Sequence, residues 1–177
     1  MGSVGERSVT VHNFKDSLAL SERYTDAPWW GQVYRKAFPD FVRMATIEGP
    51  SPEQRAGIDR RIFLHSGKVL EVDEKVRAQD WPDFLLEYQS AAEYNTPGWI
   101  VKPLLCDYIA YAYVPSHTCF LLPVQELQRA WREHGQRWIV KHRRVEAKNE
   151  GYTTVSVAVP RDVVWAALKD AMKIVWS

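Results

Sequence analysis

Cysteine, charge of one sign and long apolar runs are all scarce in this chain. Its two cysteines, Cys106 and Cys119, lie in apolar strand-like runs with no CxxC or Cys/His spacing beside them. They are expected as reduced core residues rather than a disulfide or metal pair. The five histidines show no ligand spacing, which argues against a zinc site. Basic and acidic residues number 23 and 22, for a formal net charge of +1, so the chain as a whole is not a basic nucleic-acid clamp, although a local basic patch remains open. No apolar run approaches the ~20 residues that span a bilayer, and the start MGSVGERSV has no apolar secretory segment. Gly2 would suit myristoylation, but position 6 is Glu. No membrane partner is expected, and a cytoplasmic location is.

What is present suffices for a packed core: 177 residues, 46% of them hydrophobic, with eight Trp and eight Tyr. Residues 1 to about 12 are polar and small and are expected to fray. Thr25 or Asp26 can cap a helix whose first turn holds Pro28 and which ends at Pro39. A second short helical piece is expected through Phe41, Val42 and Met44. Three strand-like runs follow: 58–65, a turn at Ser66-Gly67, 69–77, and then 84–90. Asn95-Thr96-Pro97-Gly98 is loop chemistry. Strands are expected over 104–114 and 119–124, an amphipathic helix over 125–134, a basic stretch over 138–148, a strand over 152–159 and a closing helix over 161–175. This order predicts an α+β (or α/β) protein with a mixed sheet, a single domain over 1–177.

Strand alternation sorts the side chains of these runs onto two faces. Asp59, Arg61 and Phe63 share one face of the first run, and Glu71, Asp73, Lys75 and Arg77 one face of the second. Glu87 and Gln89 share one face of the third. Glu74 is the exception, a carboxylate on the oily side. A two-residue Ser66-Gly67 loop would place Asp59 and Asp73 on opposite faces. A three-residue loop with left-handed Gly67 shifts the pairing by one and sets Asp59 beside Asp73 and Lys75. The longer loop is the expectation.

An Asp on one strand and Asp-Glu-Lys on the next, joined by a short hairpin after a helix, resembles the PD-(D/E)XK nuclease superfamily. The phrases GIDRRIFLHSGKVLEVDEKVR, DFLLEYQS, PGWI and CDYIAYAYV look like uncharacterised, phage-type members. The resemblance covers about residues 25–125, with 126–177 as a strand-helix extension. It implies a restriction-endonuclease-like αβββαβ core, a mixed central sheet flanked by helices, and a Mg²⁺-dependent (or Mn²⁺-dependent) deoxyribonuclease of a bacterial or phage-infected cytoplasm. DNA is the expected partner, with RNA, a homodimer and a protein partner left open. Asp59 and Asp73 would hold the metal with the Glu74 main-chain carbonyl, and Lys75 would orient or help deprotonate the attacking water or neutralise charge. Ile58 stands where the superfamily often has Pro. Of the carboxylates near the first helix, Glu22, Asp26 and Glu48, none is a convincing further ligand. The alternative is an inactive nuclease-fold module binding nucleic acid or protein, such as a phage accessory or counter-defence factor.

Several other side chains carry both a functional and an ordinary role. Glu87 is a candidate catalytic carboxylate and Gln89 a contact to the substrate backbone, or both belong to a polar outer face. Trp99 is a base-stacking candidate beside Lys102 as a phosphate contact, or it packs on a sheet edge. Asp107 is expected in a structural hydrogen bond. Lys141, Arg143 and Arg144 form the strongest basic run for DNA contact, against a solvated hairpin. Asp59, Asp73 and Lys75 themselves have the alternative of an ordinary cross-strand charge cluster.

Overall fold

The protein is described here by a computed structural model covering residues 23–49 and 51–177. The amino-terminal segment expected to fray, and Glu22, lie outside the described residues. Helix α1 (Trp29–Ala37) buries Trp30, Val33 and Tyr34 at helical spacing. It ends because Phe38, which precedes Pro39, is extended (φ −123°, ψ 99°). Pro28, rather than Thr25 or Asp26, occupies its N-cap position.

Two sheets follow. The larger contains β1 (Phe41–Thr46), β2 (Arg60–Leu64), β3 (Val69–Arg77), β6 (Tyr108–Tyr113), β7 (Thr118–Pro123) and β10 (Met172–Val175), in that spatial order. Neighbours are antiparallel except β3 and β6, which run parallel. The smaller sheet is antiparallel, in the order β5 (Thr96–Pro97), β4 (Asp83–Ala91), β9 (Tyr152–Pro160), β8 (Arg143–Asn149). Two short helices, α2 (Pro52–Arg55) and α4 (Arg161–Ala166), and one long one, α3 (Val124–Lys141), follow α1 among the described residues. The fold is thus α+β with a mixed sheet.

Each face of the large sheet has its own core. Ile62, Leu70, Val72, Ala110 and Leu121 pack against Trp30, Val33 and Tyr34 of α1 and against Trp176. On the other face Ile109, Tyr111, Tyr113, Phe120 and Leu122 meet Phe84 and Leu86 of β4, Val157 and Val159 of β9, and Leu127, Ala130 and Trp138 of α3. Tyrosines of β6 pin the sheets together: the Tyr111 hydroxyl accepts from Leu85 N–H at 3.0 Å, and the Tyr113 hydroxyl donates to the Asp83 carbonyl. A sheet and a helix, rather than helices alone, therefore cover this second face.

Four expectations need correction. Residues 41–46 form a strand, because they pair antiparallel with β2 and Arg43 stacks over Phe63 at 3.7 Å. The run 84–90 leaves the hairpin's sheet and pairs with β9 instead, so β6, not β4, lies beside β3. The stretch 161–175 is a short helix and then β10, which extends the sheet at β7. Helix α3 continues beyond the expected 125–134 to Lys141. The segment from 126 onward thereby supplies strands to both sheets. Cys106 and Cys119 are buried free thiols, as expected.

Candidate functional site

The site is built on the β2–β3 hairpin. Leu64 N–H donates to the Lys68 carbonyl and Gly67 N–H to the Leu64 carbonyl, both at 3.0 Å, closing a loop of His65, Ser66 and Gly67. Gly67 has φ +82°, a left-handed conformation that glycine adopts without steric cost. Arg60 pairs with Val72, Arg61 with Glu71, Ile62 with Leu70 and Phe63 with Val69. Continued by one residue, this register sets Asp59 opposite Asp73. The three-residue loop and the shared face for the two carboxylates are thus as the sequence predicted.

Asp73 is buried, and its two oxygens accept from Lys75 Nζ at 2.6 and 2.8 Å. Asp59 Oδ2 accepts from the Glu74 N–H at 2.8 Å. Burial, followed by the Asp73 carboxylate, lifts the Asp59 carboxyl to about 7; the Glu74 N–H and Lys75 pull the other way. Burial pushes the Lys75 ammonium down, but Asp73, Asp59 and Glu87 outweigh it, and its pKa stands above the ordinary lysine value.

Glu87 reaches the same place from the second sheet. Its carboxyl is lifted by burial, while Lys75, the Trp99 N–H and Lys102 pull it down. The segment 98–106 runs across this region. Gly98 N–H donates to the Tyr88 carbonyl at 3.0 Å, Ile100 N–H to Glu87 at 3.2 Å and Leu105 N–H to Ala56 at 3.2 Å. Trp99 is buried with Lys75 Nζ 5.5 Å from its ring, which is the packing alternative and not an exposed stacking platform. Gly57 (φ +79°) comes so close that an added Cβ would sit 2.9 Å from Leu104 and 3.6 Å from Asp73 Oδ2. Burial, then Asp73, pushes the Cys106 thiol up to about 12, so it stays protonated.

The Glu74 side chain goes elsewhere. It projects to the α1 side, where its carboxylate accepts from Arg60 Nε and NH2 at 2.7 and 2.8 Å and from the Tyr34 hydroxyl at 2.6 Å. Arg60 also donates to Thr46 Oγ1 and the Thr25 carbonyl. Only the Glu74 backbone belongs to the site, so its carboxylate is not a ligand. The sequence held a signal for this pair: Arg60 and Glu74 are both charged residues at oily-face positions.

The remaining candidates separate. The Gln89 amide donates to Asn95 Oδ1 at 3.3 Å, because a bulge between Glu87 and Gln89 breaks the alternation that would have kept them together. Lys102 stays near Glu87. Lys141 ends α3, while Arg143 and Arg144 lie on β8, which β9 separates from β4. Arg143 faces Asp83 at 3.7 Å and Arg144 pairs with Glu146 at 2.8 Å. The basic run therefore does not join the carboxylates. Asp107 Oδ2 accepts from Glu71 N–H at 2.8 Å, the structural role expected of it. Asp26 acts on Arg60, and Glu48 is exposed.

Hard oxygen donors dominate the site, and the Asp59 carboxyl is lifted first by burial and then by the Asp73 charge, the second of which a bound cation would offset. Among the described residues, no three His, Cys, Asp or Glu side chains are grouped to hold a metal by themselves. Any divalent ion here would keep water or substrate oxygens, as Mg²⁺ commonly does. No helix of the described residues is long and apolar enough to cross a membrane. No protein-family model, curated protein or solved structure matches the chain.

Proposed function

We propose that this chain is a metal-dependent nuclease that hydrolyses phosphodiester bonds of DNA. One observation carries the proposal: Asp59 lies opposite Asp73 on one face of the hairpin, with Lys75 donating to both Asp73 oxygens. The order of α1, the β1–β2–β3 antiparallel meander and a parallel β6 supports a restriction-endonuclease-like arrangement. It departs from that pattern between β3 and β6, where β4 and β5 stand in place of the expected helix.

Asp59, Asp73 and the Glu74 main chain would hold Mg²⁺ or Mn²⁺, which when bound polarises the phosphate and lowers the pKa of water. In the hydrolysis, the water oxygen forms a bond to phosphorus and the bond from phosphorus to one sugar oxygen breaks. The departing oxygen takes up a proton as the water loses one. Lys75 is kept cationic by three carboxylates, so it stabilises the negative charge that builds on the phosphoryl oxygens and does not act as a base. Glu87, on the other sheet, adds its charge to those that keep Lys75 cationic.

Incubation with supercoiled, linear and branched DNA plus Mg²⁺ or Mn²⁺ tests the assignment. Cleavage is expected, and Asp73→Asn and Lys75→Ala should each abolish it while leaving the circular dichroism spectrum unchanged. Cleavage that persists in both variants rejects the site. The Lys75–Asp73 ion pair favours one second reading, a binding module whose carboxylate has its counter-charge built in. Tight DNA or protein binding without metal uptake or cleavage would establish it.

A further inference from the structure

We infer that the site accepts an unpaired DNA strand and not an intact duplex, an inference that rests on the nuclease reading above. Of the reacting groups Asp73 is recessed, keeping only 4% of its surface in solvent, while Asp59 and Glu87 are half-buried and the Lys75 side chain keeps 30%. The covering segment 98–106 is tied down on both sides. It bonds to β4 through Gly98 and Ile100, to Ala56 through Leu105, and to α3 through Gln128 Nε2, which donates to the Lys102 carbonyl at 2.8 Å. It is a fixed roof.

A duplex meets such a roof badly. Its phosphates are held in register by base pairing, so one phosphodiester turns inward to a recessed carboxylate only if neighbouring pairs open, at an unpairing cost that a single strand does not meet. A single strand turns at every linkage. Charge weighs in the same direction, since counterion release per phosphate neutralised is greater for a duplex than for a single strand. The basic run is instead two strands away from β4, with Arg143 facing Asp83 and Arg144 paired with Glu146. Beside the site the exposed residues of the roof are apolar, Val101 at 47% and Leu105 at 68%. Apolar surface next to the Lys75 ammonium can pack against bases that a single strand leaves unpaired.

The test uses fluorescein-labelled DNA as a single strand, as a blunt duplex of the same sequence and as a duplex with a single-stranded overhang. The full chain is assayed in Mg²⁺ and in Mn²⁺, beside Lys75→Ala. Cleavage of the single strand and of the overhang at least tenfold faster than the blunt duplex, lost in Lys75→Ala, is expected. Equal, Lys75-dependent cleavage of the blunt duplex overturns this inference and leaves the nuclease reading standing. Cleavage of none of the three overturns the nuclease reading, and the inference with it. Leu105→Glu changes an exposed residue and should raise KM for the single strand severalfold with kcat unchanged. An unaltered KM would show that the strand does not cross the roof.

Discussion

Arg60 grips Glu74 with two hydrogen bonds, Nε to Oε1 at 2.7 Å and NH2 to Oε2 at 2.8 Å, on the sheet face opposite Asp59 and Asp73. Their side chains keep 3% and 7% of their surface exposed. Buried ion pairs are costly to form and still more costly to break, because the survivor is left as an uncompensated charge.

Removing one partner should therefore be severe. Arg60→Met or Glu74→Leu is expected to lower stability by about 3–5 kcal/mol, whereas the double variant Arg60→Met/Glu74→Leu should recover much of that loss. Urea denaturation of the three variants checks the pattern. A double variant as unstable as the sum of the singles would show that the pair is not coupled.

Asp59 supplies a pH dependence with a defined sign. Its carboxyl stands near 7 in the fold against an ordinary value of 3.8, so the folded chain binds this proton more tightly than the unfolded chain. The resulting stability is complete below about pH 4 and is lost as pH rises through 7. Asp59→Asn has no such proton to lose, and its amide oxygen can still accept from Glu74 N–H. Relative to the unaltered chain, the variant should gain on the order of 1–2 kcal/mol between pH 5 and 8, discounted because the carboxyl keeps some contact with solvent. Denaturant midpoints at pH 5, 6.5 and 8 measure this difference, and a difference that is flat across pH contradicts it.

Gly98 tests the roof. A Cβ there would lie 2.3 Å from the Glu87 carbonyl oxygen and 2.6 Å from its carbon, both backbone atoms that cannot swing away. Gly98→Ala should push the segment off β4, lower stability by about 1–3 kcal/mol and raise the fluorescence change of Trp99 on quenching by iodide. Unchanged stability and quenching would show that the contact relaxes freely.

The hairpin was legible in the sequence because its information is local. Gly67 dictates the turn, and period-two alternation then assigns Asp59, Asp73 and Lys75 to one face. The errors arose where the deciding partner is distant. Phe41, Val42 and Met44 fit a helical spacing as well as a strand, and only pairing with β2 settles it. The run 84–90 has the pattern of a strand, but nothing within it says that its neighbour is β9, some seventy residues later. Residues 172–175 continue the local pattern of a closing helix, and their pairing with β7 is equally remote. Glu87 still comes near enough to act on Lys75, but from the other sheet and not from the strand next to β3.

The turn at His65-Ser66-Gly67 also has a consequence for folding fidelity. The hairpin carries its ionic groups back to back, with Asp59, Asp73 and Lys75 on one side and Arg60 and Glu74 on the other. A slip of one residue between the strands would turn one strand's groups over while the other's stayed in place. Glu74 would then no longer meet Arg60, and a lone charge would enter the core beneath α1. That penalty makes the misaligned hairpin self-rejecting, so the chain has a single stable alignment available to it before any distant strand has docked.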